Sequence, residues 1–436
     1  MKITTQMDGN MNTSATSLLR LEQFPENFKF YFKAKQSKNH QAAQSELQDL
    51  VRPRLRIAIV TETWPPEING VALSMMQLCQ GLQRLGHKIL LVRPAQKAVC
   101  KDFQPEQECL VVSQAIPKYP SLQFGWPQYL KVSKAFDKFE PDVVHIVTEG
   151  PLGLTALQAA KAMRVAVSSG FHSPFQDFSR FFDLAFLVKP IQRYLTWFHN
   201  STNMTCVPSE YTQQALRSFG VTCPLVVVGR GVDTTKFSPK HRSEILRRKW
   251  GVQADTRVML YVGRLSPEKE VDVLIKAFHE LQATQGNNIK FVIVGDGPDR
   301  IRLEKLSQSK DIIFMGSLSG NALSAAYASG DVFAYASQSD TFGNVVLEAI
   351  SSGLPVMAYD YVCAHQHVKH EQTGWLSPLG DVAHLTQSLC QLPALPKLRE
   401  MGLLASDSVQ ASSWQLPVQQ LEQALYQVTE AYAMST

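Results

Sequence analysis

Short apolar runs rich in Val and Ile recur along the chain and alternate with stretches of helical period. The first is Arg56-Ile57-Ala58-Ile59-Val60, which by length and β-branched composition predicts a buried strand. A loop from Thr61 to Gly70 follows, then a helix from about Val71 to Leu85, stopped by Gly86. The strand signal returns at His87–Val92, Pro141–Ile146 and Val165–Ser168, separated by helical stretches. That order predicts a parallel sheet covered by helices on both faces. The pattern then restarts. Val258–Val262 is a strand followed by Gly263, and a helix is expected from about Val271 to Gln285. Lys290–Val294 is a strand ending in Gly295-Asp296-Gly297-Pro298, and Asp311–Met315 and Val332–Tyr335 are two more. Two βα series predict an α/β chain of two doubly wound domains joined near 225 to 235. The expected layout is a polar extension over 1–53, a first domain over 54–227 and a second over 228–412. A terminal segment over 413–436 completes it, with an amphipathic helix from about 415 to 432 that can pack on either domain, back on the first included.

Residues 1–53 are rich in Gln, Asn, Ser and Lys and lack a sustained period, so a poorly ordered extension is expected. Within it, Phe28-Lys29-Phe30-Tyr31-Phe32-Lys33-Ala34-Lys35 mixes aromatic and basic residues, which suits either membrane contact or docking on a domain. Hydrophobic and charged contents of 44% and 19% are ordinary for a globular chain with a large core. The net charge of +5 suits anionic ligands or an anionic membrane surface and is too small to argue for nucleic acid. No run of about 20 apolar residues predicts a membrane span, and Lys2 has no apolar stretch behind it to make a signal peptide. Seven scattered cysteines without Cys-x-x-Cys fit reduced thiols in a cytoplasm.

Candidate chemistry concentrates after the predicted strands. "SDTFGNVVLEAISSGLPV" (339–356) sets Asp340 in a loop beyond a strand and opens a helix at Phe342-Gly343. The carboxyl edge of an open α/β sheet is where ligands bind, and the first helical amides suit an anion. Gly343 lets a ligand approach the backbone closely. Glu348 lies roughly 9 Å further along the axis at about 1.5 Å per residue, too repulsive for a phosphate but suited to hydroxyl pairs. The order suggests sugar, phosphate, ribose; acids that merely serve a helix dipole are the other reading. "YVGRLSPEKEVDVLIKAF" (261–278) adds Arg264 and Lys269 in another loop after a strand, as phosphate cations or as a salt-bridged loop. "TWPPEINGVALS" (63–74) turns at Pro65-Pro66 and opens a helix at Asn69-Gly70-Val71, where Gly70 admits a phosphate to the backbone. "SSGFHSPFQDFSRFF" (168–182) puts His172 just beyond a strand, as a cleft residue or a satisfied structural histidine.

Together these four stretches resemble the retaining glycosyltransferases of the GT-B fold, family 4, over about residues 54–432. "GRLSPEK", the acid-x7-Glu stretch with "FGNVVLEAISSGLPV", and "GDGP" at 295–298 carry the likeness. Within that family the chain looks most like bacterial enzymes that pass mannose or glucose to lipid or glycan acceptors. The resemblance implies a GDP- or UDP-linked donor with its diphosphate on Arg264 and Lys269 and its ribose on Glu348. It implies that Gly70 approaches the phosphate, that His172 touches the sugar near the reacting carbon, and that Asp340 holds sugar hydroxyls where the family usually has Glu. Gly295, Phe342, Gly343 and Asn344 are then also donor-binding. Val228-Gly229-Arg230-Gly231-Val232-Asp233 stands in place of the family's usual Pro-Asn-Gly-Val-Asp, so Arg230 inherits no role.

A double displacement needs a carboxylate nucleophile, and no acid in the first-domain motifs has that position. The family's alternative is front-face attack, with His172 and Asp340 as the residues at the reacting sugar. There is no Asp-x-Asp, and Cys363, His365, His367 and His370 match no common metal spacing, so no metal or other cofactor is expected. The aromatic and basic stretch 180–201 suits a peripheral contact with the inner face of an anionic membrane, or a helix half buried in the first domain. A nucleotide-sugar epimerase and an inactive nucleotide-sugar sensor are rival readings of the same architecture.

Overall fold

The computed structural model describes residues 52–67, 69–96, 98, 100–116, 119–172 and 188–435. Residues 1–51 of the expected extension, the segment 28–35 within it and residues 180–187 of the stretch 180–201 lie outside the described residues. Leu55–Thr436 forms one compact unit.

Its first half is built on β1 (Arg56–Val60), β2 (Lys88–Pro94), β3 (Gln107–Val111), a separate antiparallel hairpin of β4 (Ser113–Ile116) and β5 (Tyr119–Gly125), then β6 (Val143–Ile146), β7 (Ala166–Gly170), β8 (Met204–Val207) and β9 (Leu225–Val227). The seven-stranded sheet runs β3-β2-β1-β6-β7-β8-β9, all parallel. The second half adds β10 (Arg257–Val262), β11 (Ile289–Val294), β12 (Ile312–Gly316), β13 (Val332–Tyr335), β14 (Val356–Tyr359) and β15 (Gly374–Ser377), in the order β12-β11-β10-β13-β14-β15. Helices cover both faces of each sheet, so central strands are apolar throughout; Ile57, Ala58, Ile59 and Val60 are all fully buried.

In each sheet the strand order reverses beside the first strand, between β1 and β6 and between β10 and β13. Connections leave those neighbours in opposite directions, and a crevice opens at their carboxyl ends. The residues that bear chemistry come from the loops beside these two crevices.

The last helix, Gln415–Ser435, returns to the first sheet. Its Val418, Leu421, Leu425 and Val428 share a core with Ile57, Met75, Leu78 and Leu82. A Cβ at Gly81 would come within 2.2 Å of Val418, so a glycine is needed for the helices to pack this closely. Glu422 on the same helix meets His87 at 2.8 Å.

Candidate functional site

The crevice of the second sheet holds an ion pair. Lys269 ends a short 3-10 turn after β10, and Asp340 lies in the loop after β13. The Lys269 Nζ is 2.7 Å from Asp340 Oδ1, with both side chains 16% exposed, and it also reaches Ser337 Oγ at 3.4 Å. Tyr335 donates its hydroxyl to Asp340 Oδ2 at 2.7 Å. That hydroxyl is held in place because the Tyr335 ring stacks near Tyr261 and Phe333, at 6.0 and 5.8 Å between centroids. Burial pushes the Asp340 carboxyl up. The charge of Lys269 and hydrogen bonds from Lys269, Tyr335 and Ser337 outweigh burial and hold it below the usual range. A cation and an ionised carboxylate therefore stand side by side at the crevice.

Gly343, with φ of +91°, caps the helix Asn344–Ser351 in the left-handed region that glycine adopts without strain. Phe342 is 4% exposed and its ring belongs to the core, so the helix mouth is built from backbone. Asn344 donates from Nδ2 to Ser74 Oγ at 2.9 Å on the helix Gly70–Arg84, and so ties the two sheet units together at their helix mouths. Its Oδ1 is buried without a hydrogen-bond partner among the described residues. A Cβ at Gly70 would sit 3.6 Å from Asn344 Nδ2, an ordinary contact. Gly70→Ala is therefore expected to leave the melting temperature within about 2 °C and to raise the donor KM roughly tenfold if a phosphate approaches the backbone there. Parallel thermal melts and initial rates check it, and an unchanged KM would remove Gly70 from the donor site.

Glu348 stands apart from the Lys269–Asp340 pair. Its Oε2 accepts from Tyr327 Oη at 2.9 Å. Burial pushes its carboxyl up to about 7, against opposing effects of the Tyr327 hydrogen bond and the Lys236 charge. Arg264 is exposed, and its charge reaches across to Glu67 in the loop after β1, where it opposes the rise that burial imposes. Gly295 and Gly297 brace the Arg264 loop: a Cβ on either would lie 1.8 Å from Gly263 O or 2.1 Å from Leu265 O.

The carboxyl edge of the first sheet carries His172 beyond β7, together with Arg230, to which the sequence assigned no role, and two groups that sequence reasoning passed over. Arg230 Nη2 lies 2.9 Å from His172 Nδ1. His145 on β6 shares a hydrogen bond with Ser168 Oγ at 2.9 Å. Glu62, which follows Thr61 just beyond the end of β1, accepts from Leu152 N–H at 2.9 Å at the start of the helix Pro151–Ala162. Burial raises its carboxyl to about 7; the Leu152 bond opposes this and nearby Glu149 adds to it. An acid in the loop just beyond a buried strand was the available signal for Glu62. Nothing in the sequence marks His145, which reads as one position of a strand.

Residues 363–370 are dispersed. His365 pairs with Asp360 at 2.7 Å, His370 Nδ1 accepts from Leu376 N–H at 3.1 Å, and Cys363 is buried. Among the described residues no group of three or more His, Cys, Asp or Glu could hold a metal ion.

Two doubly wound sheets with paired crevices and abutting helix mouths are the architecture of a GT-B glycosyltransferase. The fold matches the sucrose-phosphate synthase of Thermosynechococcus elongatus with TM-score 0.69 at 19% identity, covering 87% of this chain and 100% of that one. It matches Anabaena HepE in complex with UDP and glucose with TM-score 0.70 at 20% identity, covering 86% and 100%. Residues 68–236 match the family described as Glycosyltransferase Family 4, and residues 242–401 match Glycosyl transferases group 1. A GDP-mannose-dependent alpha-mannosyltransferase of Mycobacterium tuberculosis is 32% identical over 373 residues, 83% of this chain and 93% of that protein. An alpha-monoglucosyldiacylglycerol synthase of Streptococcus pneumoniae is 27% identical over 316 residues, 70% and 71% of the two chains. The chain belongs to this glycosyltransferase family, whose two family descriptions it matches in succession.

Proposed function

We propose that the protein transfers mannose or glucose, with retention of configuration and without a metal, from a GDP- or UDP-linked donor to a hydroxyl of a lipid or glycan. The observation that carries this reading is the Lys269–Asp340 pair beside the Gly343 helix mouth, a cation for a diphosphate next to an acceptor group for sugar hydroxyls. The relative from Mycobacterium tuberculosis is GDP-mannose-dependent and the one from Streptococcus pneumoniae makes a glucolipid, which supports the choice of hexose and acceptor.

On this reading the diphosphate lies against Arg264, Lys269 and the amides of the Gly343 helix mouth, and the ribose hydroxyls donate to Glu348. The acceptor hydroxyl attacks on the face from which the diphosphate departs. The C1–O bond to the diphosphate breaks, a new C1–O bond forms on the same face, and the hydroxyl proton passes to a diphosphate oxygen. The two cations and the helix mouth stabilise the charge gathering on the leaving group. His172 and Asp340 orient a sugar of oxocarbenium character.

The test is a panel of labelled GDP- and UDP-hexoses with a membrane extract as acceptor, run with and without EDTA. Label should enter lipid or glycan from one donor, with anomeric configuration kept and the rate within about twofold with chelator, a change of under 0.5 kcal/mol in the barrier. An inverted product, or activity lost to EDTA and restored by Mg²⁺ or Mn²⁺, would overturn the corresponding part.

The acceptor reading extends to a peripheral membrane contact. No helix among the described residues is long and apolar enough to cross a membrane. The helix Val188–Asn200 exposes Lys189, Arg193 and Trp197, spaced four apart on one face, with Trp197 52% exposed. Basic residues gain about 1 kcal/mol each near an anionic bilayer, enough for reversible binding. Full-length protein should pellet with anionic vesicles at low salt, and less so at high salt. Protein that stays in the supernatant with anionic vesicles at low salt would point to a soluble acceptor.

A further inference from the structure

Arg230 lies in the connection between the two sheets, and its guanidinium turns back to the first sheet. We infer that Arg230 is a positioning residue that holds His172 as a neutral imidazole with its proton on Nε2. This deepens the proposed function and rests on its placement of His172 at the reacting sugar.

The geometry sets the tautomer. A guanidinium only donates hydrogen bonds, so the nitrogen it meets must carry a lone pair. Arg230 Nη2 is 2.9 Å from His172 Nδ1, which leaves the ring proton on Nε2. The guanidinium is itself anchored, since its Nη1 donates to Val228 O at 3.2 Å and Gly229 O at 3.1 Å. Gly170 fixes the other side of the ring: a Cβ there would come 2.6 Å from His172 Nε2. The Nε2 is buried and has no hydrogen-bond partner among the described residues, and a second, charging proton would have to sit on Nδ1, where it would displace the Arg230 hydrogen bond and face the guanidinium.

The surroundings act in the same direction. Burial lowers the His172 pKa well below the ordinary value, and Arg230 in the connection, His145 on β6 and His199 on the helix Val188–Asn200 lower it further. Glu149 pairs with His199 Nε2 at 3.2 Å, and no acid is among the groups that shift His172. Burial also lowers Arg230, to about 10, so it stays charged at neutral pH. Cys206 on β8 and His145 on β6 also interact with its charge. The consequence for transfer is electrostatic. An uncharged ring beside a sugar gaining positive charge does not oppose that charge, whereas an imidazolium would.

The experiment is a pH titration of the full-length protein with ¹⁵N-labelled histidine, read by long-range ¹⁵N–¹H NMR, next to kcat and donor KM across the same range. In the wild type His172 should show a neutral ring with the proton on Nε2 throughout pH 6 to 8, consistent with its displacement below an ordinary value of about 6.5. Arg230→Lys should keep this state. Arg230→Gln keeps a donor without the charge, so the tautomer should persist while protonation begins roughly one pH unit higher. The acidic limb of kcat should then move up with it, because activity needs the neutral ring. Arg230→Met should lose both tautomer and charge effect, with kcat falling about tenfold or more and KM changing less. In a His172→Ala background, changing Arg230 should no longer move the pH profile. A wild-type ring with its proton on Nδ1, an imidazolium at pH 7, or an Arg230→Met protein that titrates like the wild type would overturn the inference. Loss of kcat at every pH with no shifted limb and an unmoved NMR titration would mean a purely structural arginine, and would overturn it too. If the wild type transfers no sugar from any nucleotide donor, the proposed function fails, while the NMR titration still decides what Arg230 does to His172.

Discussion

Lys269→Ala is expected to lower kcat/KM by about 10² to 10³ and to destabilise the fold at the same time. The two effects have one origin. In the wild type the Lys269 ammonium is the cation on Asp340, 2.7 Å away, and both side chains are largely out of water. Removing one member of such a pair leaves the other charge in a poor environment, at about 3 kcal/mol, the lower end for buried pairs because some solvent still reaches this one. That corresponds to a melting temperature lower by roughly 5 to 10 °C. Asp340 would also titrate higher, since the Lys269 charge and hydrogen bond are two of the influences that hold it down. The double variant Lys269→Ala/Asp340→Asn separates the effects: it should recover most of the stability and none of the transfer. Thermal melts and steady-state rates on the three proteins decide it. If the single variant melts and turns over like the wild type, the pair has neither role.

Glu348→Gln is expected to make the protein more stable above neutral pH while weakening the donor. Burial raises the Glu348 carboxyl from 4.5 to about 7. A carboxyl whose folded pKa lies above its unfolded value stabilises the fold when protonated. Its contribution is fully present below about 4.5 and is lost as pH rises through about 7. At pH 8 the wild type therefore holds an ionised carboxylate in a site that disfavours it, by at most about 3 kcal/mol from a shift of this size. Gln carries no such charge and can still accept from Tyr327, so its advantage should appear at pH 8 and vanish near pH 5. Glu62, also raised to about 7, titrates in the same window in both proteins and cancels in the comparison. If the ribose hydroxyls donate to Glu348, replacing the carboxylate by an amide should raise the donor KM about tenfold, near the difference between a charged and a neutral hydrogen bond. Identical melting temperatures of the two proteins at pH 8 would refute the buried ionisation. An unchanged KM would take Glu348 off the donor.

The apolar runs determined the class of fold. Runs such as Arg56–Val60, Lys290–Val294 and Val332–Tyr335 are strands in the structure, and the helices Gly70–Arg84 and Val271–Gln285 lie where their period and the Gly86 stop indicated. These signals are local: a buried parallel strand is apolar along its whole length, and a helix ends where its backbone cannot continue. The same locality explains the gaps. Among the strands not read, β3 and β8 carry polar residues such as Gln107, Glu108 and Thr205, β9 is only three residues long, and all three sit away from the centre of the sheet. The loop residues Arg264, Lys269, Asp340 and Gly343 were legible as candidates because each follows an apolar run that ends in small or polar residues. Their partners were not. Lys269 meets Asp340 because β10 and β13 are neighbours, although 71 positions separate the two residues. Tyr327 reaches Glu348, Asn344 reaches Ser74 and Arg230 reaches His172 through packing that no periodicity encodes. Sequence alone determined which segments bury and which loops bear charge, since both follow from residue type and spacing. Only the tertiary structure decided which charges meet and which carboxyls are raised or lowered, because a pKa depends on burial and on neighbours that the fold brings together from distant parts of the chain.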